Sequence, residues 1–491
     1  MVVSESVRQH AHVIGGREVA PADGYISRVN PATGEVVAMF PNGTAAETLS
    51  AIAAARNEFD SGEWPRLSGT QRSRILQRWS ELIAEHTETL VRIEIEEGGK
   101  PARVARGDIE GVVTLTSYAA ALAQNLTGES HTDFGSDLQA MVVHEPVGVV
   151  GAIVPWNFPS IIFAQKVPFA LAAGCTVVVK PSEMTSGTAI EMTRLGHEAG
   201  IPASALNVVT GYGVPVGDTL VRSEDVDMIS FTGSTRTGLQ VLKGQEVNFK
   251  RVSLELGGKS AAIVFDDANI DAAIDGVLFS IYMNQGQVCC AGSRLLVQDS
   301  IADEFLARLA DRVNQLSVGD PADASIDLGP LISEQHRDLV AGFVDRAVQD
   351  GASLGTTNAL PEVPEGTAFY PPVVLNEVTP DMPIFSDEVF GPVLTTTRFT
   401  SVDEAIELAN TSQYGLAGSV WTTNINTALT VARRVRTGTI EINTSLEGQP
   451  QLPFGGYKTS GIGREKGAEG LREFTETKTI GIRTTPRESF F

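Results

Sequence analysis

An apolar run, Thr176-Val177-Val178-Val179, is followed by a helical pattern over 187–199 and by a second run, Leu206-Asn207-Val208-Val209. The same alternation then predicts a short helix over 213–222, a strand over 227–231 and a helix over 234–243. Strands that are apolar along their whole length and separated by helices are typical of a parallel sheet covered on both faces. This stretch therefore predicts an α/β fold.

The alternation extends to both sides of this stretch. Upstream, strands are predicted over 141–144 and 147–153, with a break at Pro146. The other predicted elements are an N-terminal layer of helices over 44–59, 70–97 and 108–124 and, after Lys259, strands over 261–265, 294–298, 393–398, 418–421 and 439–442 with helices over 270–283, 301–316 and 334–350. A last strand over 477–482 is expected to pair with strand 141–144 and, at a sheet edge, with a partner subunit.

Composition limits the class of protein. A chain of 491 residues exceeds one hydrophobic core, so two or three domains are expected. The formal net charge of -23 argues against nucleic acid and anionic membrane as partners, and the 3 cysteines indicate a reducing compartment. We see no signal peptide, membrane span or metal-ligand spacing, and we therefore predict a cytoplasmic protein without a metal.

A candidate nucleophile lies in the turn Asn284-Gln285-Gly286-Gln287-Val288-Cys289-Cys290-Ala291-Gly292. Small and polar residues in this turn allow a ligand to approach, and backbone amides can stabilise both a thiolate and an oxyanion. Two cysteines taken alone are more often small core residues. The turn by itself therefore leaves both interpretations open.

Two further motifs follow predicted strands. In Pro155-Trp156-Asn157-Phe158-Pro159, the neutral amide of Asn157 can donate to an oxyanion, and the alternative is a proline-bounded turn with a packed Trp. In Lys180-Pro181-Ser182-Glu183, the carboxylate can accept from both ribose hydroxyls of an adenosine and would repel a 2′-phosphate, which favours NAD over NADP. The alternative for Glu183 is a solvated loop charge.

Two more stretches have the residue types of a binding or catalytic site. In Phe231-Thr232-Gly233-Ser234, a strand passes into the N-terminus of a helix, where a phosphate could bind, although an ordinary strand-to-helix turn has the same glycine spacing. In Leu254-Glu255-Leu256-Gly257-Gly258, burial is expected to raise the pKa of Glu255 and suit it as a general base. A buried ion pair is the alternative for this glutamate.

Together these motifs resemble those of the aldehyde dehydrogenase superfamily, over a span from about Ile14 to Thr477. Two later motifs match in the same order, Glu388-Val389-Phe390-Gly391-Pro392 and Pro453-Phe454-Gly455-Gly456-Tyr457-Lys458. The resemblance implies a Rossmann-like parallel-sheet cofactor domain at 1–133 and 151–258, a second α/β catalytic domain at 259–450, and a small β extension for oligomerisation at 134–150 and 471–491.

The resemblance also implies roles for individual residues. Cys289 would be the nucleophile, Glu255 the general base, and Asn157 with the backbone N–H of Cys289 the oxyanion hole. Lys166 and Glu465 would form a proton path. The cofactor would be bound by Ile153, Pro155, Trp156, Lys180, Ser182, Glu183, Gly213, Gly217, Phe231, Gly233, Ser234, Leu256, Glu388 and Phe390, and the entrance for substrate would contain Phe158, Gln165 and Phe454. In one departure, His336 and Leu339 stand where the family often has Gln and Lys for a second adenosine-ribose contact.

The predicted reaction is oxidation of a small-molecule aldehyde by NAD, through a cysteine hemithioacetal and a thioester that Glu255-activated water hydrolyses to the acid. Gln165 and Gly448 stand where relatives that act on small apolar aldehydes often have aromatics, which suggests a wider and more polar entrance. A homodimer or homotetramer is expected. The alternatives are an NADP-preferring or CoA-acylating relative, a cysteine hydrolase, and a non-catalytic protein on this fold, against which the presence of Cys289 and Glu255 argues.

Overall fold

The structure is a computed structural model that describes residues 7–247, 249–357, 359–487 and 489–491. The predicted absence of a signal peptide concerns residues 1–6, which lie outside these ranges. Within them, no helix is long and apolar enough to cross a membrane.

The described residues form strands and helices numbered here in chain order. The strands are β1 (Arg8–Gln9), β2 (His12–Ile14), β3 (Arg17–Val19), β4 (Tyr25–Val29), β5 (Val36–Pro41), β6 (Glu129–His131), β7 (Leu138–Pro146), β8 (Val149–Val154), β9 (Thr176–Pro181), β10 (Leu206–Val208), β11 (Met228–Thr232), β12 (Arg251–Glu255), β13 (Ala261–Val264), β14 (Arg294–Gln298), β15 (Ser353–Leu354), β16 (Val373–Asn376), β17 (Val393–Phe399), β18 (Gly418–Trp421), β19 (Glu441–Ile442), β20 (Gly461–Ile462) and β21 (Thr475–Arg483). The α-helices are α1 (Ala45–Ser61), α2 (Gly69–Glu85), α3 (Thr87–Gly98), α4 (Ala102–Ala123), α5 (Pro159–Ala173), α6 (Gly187–Glu198), α7 (Asp218–Arg222), α8 (Thr235–Lys243), α9 (Ile270–Tyr282), α10 (Asp299–Val313), α11 (Glu334–Gln349), α12 (Pro383–Ser386), α13 (Val402–Asn410), α14 (Ile425–Arg434) and α15 (Gly467–Glu473).

The first large sheet has the strand order β20-β12-β11-β8-β9-β10-β2-β3. Its inner strands, from β12 to β10, are parallel, as the apolar runs predicted, and β20, β2 and β3 extend its edges antiparallel. The segments after β8, β9, β11 and β12 carry the motifs of Asn157, Lys180, Gly233 and Glu255. Because the carboxyl ends of parallel strands meet at one edge, the sheet gathers these four motifs there.

The second large sheet has the order β15-β16-β17-β14-β13-β18-β19 and is parallel except for the pairing of β15 with β16. The chain leaves β12 at Glu255 and enters β13 at Ala261, whose register partner is Arg294 at the start of β14. Cys289 lies five residues before Arg294. The carboxyl edge of the first sheet therefore faces the turn that contains Cys289.

The N-terminal helices pack on the first sheet, as predicted. The Trp79 indole of α2 is fully buried, meets the Phe163 ring of α5 edge-on at 6.0 Å and donates to the carbonyl of Met192 at 2.8 Å. The prediction of one helix over 70–97 was wrong, because α2 and α3 meet at His86, where the backbone leaves the helical region. Helix α4 begins at Ala102 and not at Asp108, directly after Pro101.

A small antiparallel sheet, β21-β7-β6, stands apart from the two large ones. Thr475 pairs with Pro146 and Arg483 with Leu138, which confirms the predicted pairing of the last strand with the strand around Met141 and lengthens it at both ends. The predicted domain boundaries remain a prediction.

Candidate active site

The turn before Cys289 has an unusual backbone. Asn284, Gln285 and Gly286 have φ angles of 48°, 55° and 70°, so three successive residues lie in the left-handed region. A Cβ atom at residue 286 would lie 2.1 Å from the carbonyl oxygen of Gly391, so only glycine fits there. The turn is therefore in close contact with Gly391, which directly follows Phe390 and lies three residues after Glu388.

Asn157 is bound directly to this turn. It lies between β8 and α5 and is buried, and its Nδ2 donates to the carbonyl oxygen of Gln287 at 2.9 Å. Asn284 in turn donates through its Nδ2 to the carbonyl oxygen of Asn157 at 3.0 Å. An amide NH₂ has two N–H donors. The bond to Gln287 uses one of them, so the second N–H of Asn157 can donate to a ligand near Cys289, which lies two residues after Gln287.

Glu255 ends β12 and is only 3% exposed. Neither of its carboxylate oxygens has a hydrogen-bond partner among the described residues. Burial raises the pKa of Glu255 well above its ordinary value, and the charge of Glu465 raises it further, against the opposing charges of Lys166 and Arg464. The structure thus bears out the raised pKa expected from the flanking leucines.

Lys166 and Glu465 form a buried ion pair close enough to Glu255 to affect its charge. The Lys166 Nζ also donates to Ser230 Oγ at 3.0 Å. Lys166 comes from α5 and Glu465 from the segment before α15. The two residues predicted to form a proton path therefore lie together beside the predicted base.

The two cysteines are half-buried and joined by a side-chain hydrogen bond. This hydrogen bond, burial and the nearby carboxylates of Glu388 and Glu255 raise the pKa of the Cys289 thiol, whereas accepting the bond lowers the pKa of Cys290. The surroundings of Cys289 therefore favour its neutral thiol over its thiolate. A proton acceptor is needed before it can attack a carbonyl.

Residues predicted to bind the adenosine half of the cofactor lie along the carboxyl edge of the first sheet. Ile153 is in register with both Lys180 and Phe231, and Lys180 Nζ lies 3.6 Å from Glu183 Oε2. Ser182 Oγ accepts from the backbone N–H of Met184 at 3.3 Å. Glu255 and Lys180 end strands three positions apart in the sheet, roughly 14 Å from one another.

Further residues predicted to bind the cofactor lie at the helix starts that follow β10 and β11. A Cβ at Gly213 would have no atom of the described residues beyond its own local chain within 4 Å, and the nearest atom to one at Gly217 is Lys180 Cδ at 3.7 Å. Ser234 caps α8 through a bond from the N–H of Thr237, and Gly233 directly precedes it. Leu256 packs against Gly238 of the same helix.

The predicted nicotinamide residues pack beside the cysteine turn. Glu388 Oε1 accepts from the N–H of Gly258 at 3.0 Å, and burial raises the pKa of Glu388 to about 7. The Phe390 ring meets the Trp156 indole edge-on at 5.3 Å, next to Pro155. A Cβ at residue 258 would lie 2.2 Å from the carbonyl oxygen of Cys289, so the glycine lets these two segments touch.

Comparison with known proteins gives the family. The sequence model described as the aldehyde dehydrogenase family matches residues 19–480. The chain belongs to the aldehyde dehydrogenase family. It is therefore an enzyme that oxidises an aldehyde.

Three related proteins cover almost the whole of this aldehyde dehydrogenase. A betaine aldehyde dehydrogenase of Bacillus subtilis (strain 168) is 43% identical over 462 residues, which are 94% of each chain. A structure of an NAD-dependent aldehyde dehydrogenase from Sinorhizobium meliloti is 45% identical with a TM-score of 0.96, covering 99% of this chain and 97% of that one. A structure of betaine aldehyde dehydrogenase from Staphylococcus aureus in complex with NAD+ is 39% identical with a TM-score of 0.95, covering 98% and 96%.

The predicted substrate entrance has a lysine on each of two aromatic rings. Lys100 Nζ lies 4.5 Å from the centroid of the Phe158 ring, and Lys466 Nζ lies 5.6 Å from that of Phe454. Lys466 also donates to the carbonyl oxygens of Gly448 and Gln449, at 3.3 and 3.4 Å. Gln165 is half-buried on α5, next to Lys166.

Two residues around the site have contacts that sequence reasoning did not predict. His336, named above as a departure from the family pattern, meets the Trp156 ring at 5.5 Å and hydrogen-bonds the carbonyl of Phe390 at 2.8 Å, so it contacts residues predicted to bind the nicotinamide, whereas Leu339 is exposed. Lys259 is buried, its Nζ has no partner in the described ranges, and burial lowers its pKa to about 7. The part of the chain that the structure describes contains no group of three or more His, Cys, Asp or Glu side chains that could hold a metal.

Proposed function

We propose that this aldehyde dehydrogenase oxidises an aldehyde to the carboxylic acid with NAD, using Cys289 as nucleophile, Asn157 as oxyanion donor and Glu255 as general base. The observation that carries the proposal is the convergence of these three residues on one turn. Asn157 is hydrogen-bonded to Gln287, and Glu255 affects the pKa of Cys289. A nucleophile, a neutral donor and a base with a raised pKa are what acyl chemistry on a thiol requires.

The residues present fit a dinucleotide. Glu183 and Lys180 would hold the adenosine ribose beside Gly217, and the N-terminus of α8 at Ser234 would meet the pyrophosphate. Glu388, Phe390 and Trp156 would hold the nicotinamide end near Cys289. The carboxylate of Glu183 would repel a 2′-phosphate, which supports NAD over NADP. When bound, NAD accepts the hydride from the substrate carbon.

Acylation begins with the Cys289 thiol. Its raised pKa requires loss of a proton to a neighbouring base. Of the two carboxylates that raise this pKa, Glu388 already accepts from the N–H of Gly258, and we assign the role of base to Glu255. The thiolate then attacks the aldehyde carbon. Asn157 and the backbone N–H of Cys289 donate to the resulting oxyanion, and loss of hydride leaves a thioester on Cys289.

Deacylation depends on Glu255. Its carboxylate oxygens lack partners among the described residues, so they can accept a proton from a water that attacks the thioester. Lys166 and Glu465 would carry away both the proton that Glu255 took from Cys289 and the proton that it takes from water, so that Glu255 is ionised again before each step. This chemistry releases a free acid. An acylating enzyme would instead pass the thioester to coenzyme A, so efficient formation of acyl-CoA would contradict the assignment.

The entrance favours an uncharged polar or longer aldehyde. Two of the related proteins are betaine aldehyde dehydrogenases, whose substrate carries a quaternary ammonium that aromatic faces bind well. Here Phe158 and Phe454 each already have a lysine ammonium over one face. A cationic aldehyde would meet like charge at Phe454, whereas Lys100 at Phe158 is already paired with Glu94 and Asp108. The amide of Gln165 suits a neutral polar substituent.

The remaining proposals concern organisation and location. We infer that residues 1–133 and 151–258 form the cofactor domain and 259–450 the catalytic domain. The sheet of β7 and β21 is supported as an oligomerisation extension by the half-exposed apolar side chains Met141, Ile480 and Ile482 along it, and it would join a homodimer or homotetramer. The acidic composition and the 3 free cysteines support the cytoplasm.

A panel of aldehydes tested with NAD and with NADP, followed by absorbance of the reduced nicotinamide, tests the function. We expect reduction of NAD, higher kcat/KM for neutral polar aldehydes than for betaine aldehyde, and no activity in Cys289→Ala. Cys290→Ala is the matched control, because it changes the adjacent thiol and should retain turnover. Full activity in Cys289→Ala, or none with any aldehyde in the wild type, would contradict the proposal.

A further inference from the structure

The end of helix α3 contacts all three segments that form the site. Residues 94–100, which we call the α3 hub, contain Glu94, Glu97 and Lys100, and each of these charged side chains is at most 2% exposed. Charged groups so deeply buried must be paired, because an isolated one costs several kcal/mol. Their partners indicate why they are there.

Glu94 and Lys100 support the oxyanion segment. Glu94 Oε1 accepts from the backbone N–H of Ser160 at 3.3 Å, in the first turn of α5, while its Oε2 accepts from Lys100 Nζ at 2.9 Å. Helix α5 has no side-chain cap of its own, and its N-terminus directly follows Asn157 and Phe158. Lys100, which is also paired with Asp108, rests on the Phe158 ring.

Glu97 supports the ribose segment in the same way. Its Oε2 accepts from the backbone N–H of Gly187 at 3.0 Å, at the first residue of α6. Helix α6 also lacks a side-chain cap, and it begins four residues after Glu183. A Cβ at residue 187 would lie 2.3 Å from Glu97 Oε1, so the carboxylate occupies space that only a glycine at this position leaves open.

The hub also reaches the cysteine turn. Gln285 Nε2 donates to the carbonyl oxygens of Gly99 and Pro330, at 3.3 and 2.8 Å. Gln285 is one of the left-handed residues before Cys289. One end of one helix, outside both large sheets, thus supplies hydrogen-bond acceptors to the segments of Asn157, Glu183 and Cys289.

We propose that Glu94 and Lys100 are positioning residues for Asn157 and Phe158, and that Glu97 is a positioning residue for Lys180 and Glu183. The two carboxylates replace missing helix caps, so removing one should let a single segment shift while the other stays fixed. This inference rests on the proposed function, because it assigns Glu94 and Lys100 to the segment that acts on the aldehyde and Glu97 to the segment that binds NAD. Neither glutamate touches substrate or cofactor.

The test is whether each variant changes the constants for NAD or those for the aldehyde, and not both. Glu97→Leu should raise the Kd of NAD, measured by calorimetry, and the KM for NAD by about tenfold, as expected for one lost buried hydrogen bond, with the aldehyde KM within about twofold. Glu94→Leu should show the reverse, with lower kcat or higher aldehyde KM and unchanged NAD binding. The Gln variants keep an acceptor and should recover most of each loss.

Two further variants test one segment each, and their melting temperatures are measured first, because Lys100→Met also leaves Glu94 and Asp108 without their buried cation. Lys100→Met leaves the Glu94–Ser160 bond in place and should affect only the aldehyde constants, whereas Gly187→Ala should displace Glu97 and affect only NAD. Glu47→Leu is the matched control, since Glu47 is a buried carboxylate that accepts N–H groups at the start of α1. It should lower the melting temperature and leave both KM values unchanged.

The outcomes separate the two claims. If the hub variants lower all constants in the same proportion, or leave all of them unchanged, the hub has no positioning role. If the wild type fails to reduce NAD with any aldehyde, the proposed function is contradicted and this inference with it.

Discussion

At the scale of single residues, the amide of Asn157 makes the first prediction. Because it donates to Gln287 in the resting enzyme, it is held beside the position where an oxyanion would form. We expect Asn157→Ala to lower kcat by about 10² to 10³, the usual effect of losing one oxyanion donor. Asn207→Ala is the control, since Asn207 is also buried but lies in β10, where its Nδ2 donates to the carbonyl oxygen of Ser204. An unchanged kcat in Asn157→Ala would remove it from this role.

Glu255 makes a second prediction, about the order of steps. Glu255→Gln should slow hydrolysis of the thioester more than its formation, because the amide cannot take a proton from water. Rapid mixing should then show a burst of about one reduced NAD per active site, followed by slow turnover. Steady-state turnover equal to that of the wild type would show that another group is the base.

The ion pair beside Glu255 makes a third prediction. Burial raises the pKa of this base, Glu465 raises it further and Lys166 lowers it. Activity that needs the ionised base rises with pH through that pKa. Glu465→Gln should therefore move the rising limb of the kcat–pH profile to lower pH, and Lys166→Met should move it to higher pH. Shifts in the same direction, or none, would contradict the assignment.

The chemistry of the site residues could be predicted because each lies in a motif with a recognisable purpose. A glutamate between two leucines, or an asparagine between prolines after a strand, is informative without a structure. The contacts that hold them were not predictable. Gln285 meets Gly99 and Pro330, and His336 meets Trp156, across separations of 45 residues or more that no local pattern reports.

At the scale of elements, the loop after β19 makes the fourth prediction. Glu441 accepts from the backbone N–H groups of Leu446 and Glu447, at 2.6 and 2.7 Å, and Lys466 donates to the carbonyl groups that follow. Glu441→Ala should loosen this predicted part of the substrate entrance, raising the aldehyde KM several-fold and leaving that for NAD unchanged. Glu404→Ala removes a similar carboxylate–backbone contact, to Thr400 N, and should change neither constant. Equal effects of the two variants would contradict the role of Glu441.

Elements were predictable where the sequence has a continuous apolar run or a periodic apolar face. Helix α6, strand β14 and strand β18 match the predictions to within one residue at each end, because apolar runs and periodic faces determine them. The strands β1 to β5, with two to six residues each, were missed. Most of them contain charged or exposed residues, such as Arg17 and Glu18 of β3, and lack the buried apolar run of β14 and β18, so their pattern does not distinguish them from loops. The partner of β2, β10, is also distant in the sequence.

At the scale of the whole molecule, buried titratable groups affect stability in opposite directions. Burial raises the pKa of Glu97 and of Glu388 to about 7, so both favour the folded state at low pH and lose that contribution as pH rises through 7. Burial lowers the pKa of His10 and of His12 to about 4. The pH dependence of the wild-type unfolding free energy is therefore the sum of contributions with opposite slopes. Only a comparison of variants separates these contributions.

The two histidines make the last prediction. His12 is fully buried, with its Nδ1 accepting from Thr210 N at 3.2 Å, and His10 stacks on Phe40 at 5.1 Å. Because their folded pKa lies below the ordinary 6.5, the folded state binds fewer protons than the unfolded state between pH 6.5 and 4. Their contribution is complete above pH 6.5 and is lost as pH falls through 4, at up to roughly 1.4 kcal/mol per pH unit for each residue.

Denaturant unfolding between pH 4 and 7 measures this contribution directly. The double variant His10→Phe and His12→Gln should have a flatter dependence of unfolding free energy on pH than the wild type, because neither replacement titrates in this range. Glu97 and Glu388 are present in both proteins, so their opposing slope cancels in the difference. Identical slopes would mean that the two histidines bind protons equally in the folded and the unfolded chain, so that their pKa is the same in both. That result would contradict the effect of burial on these two residues.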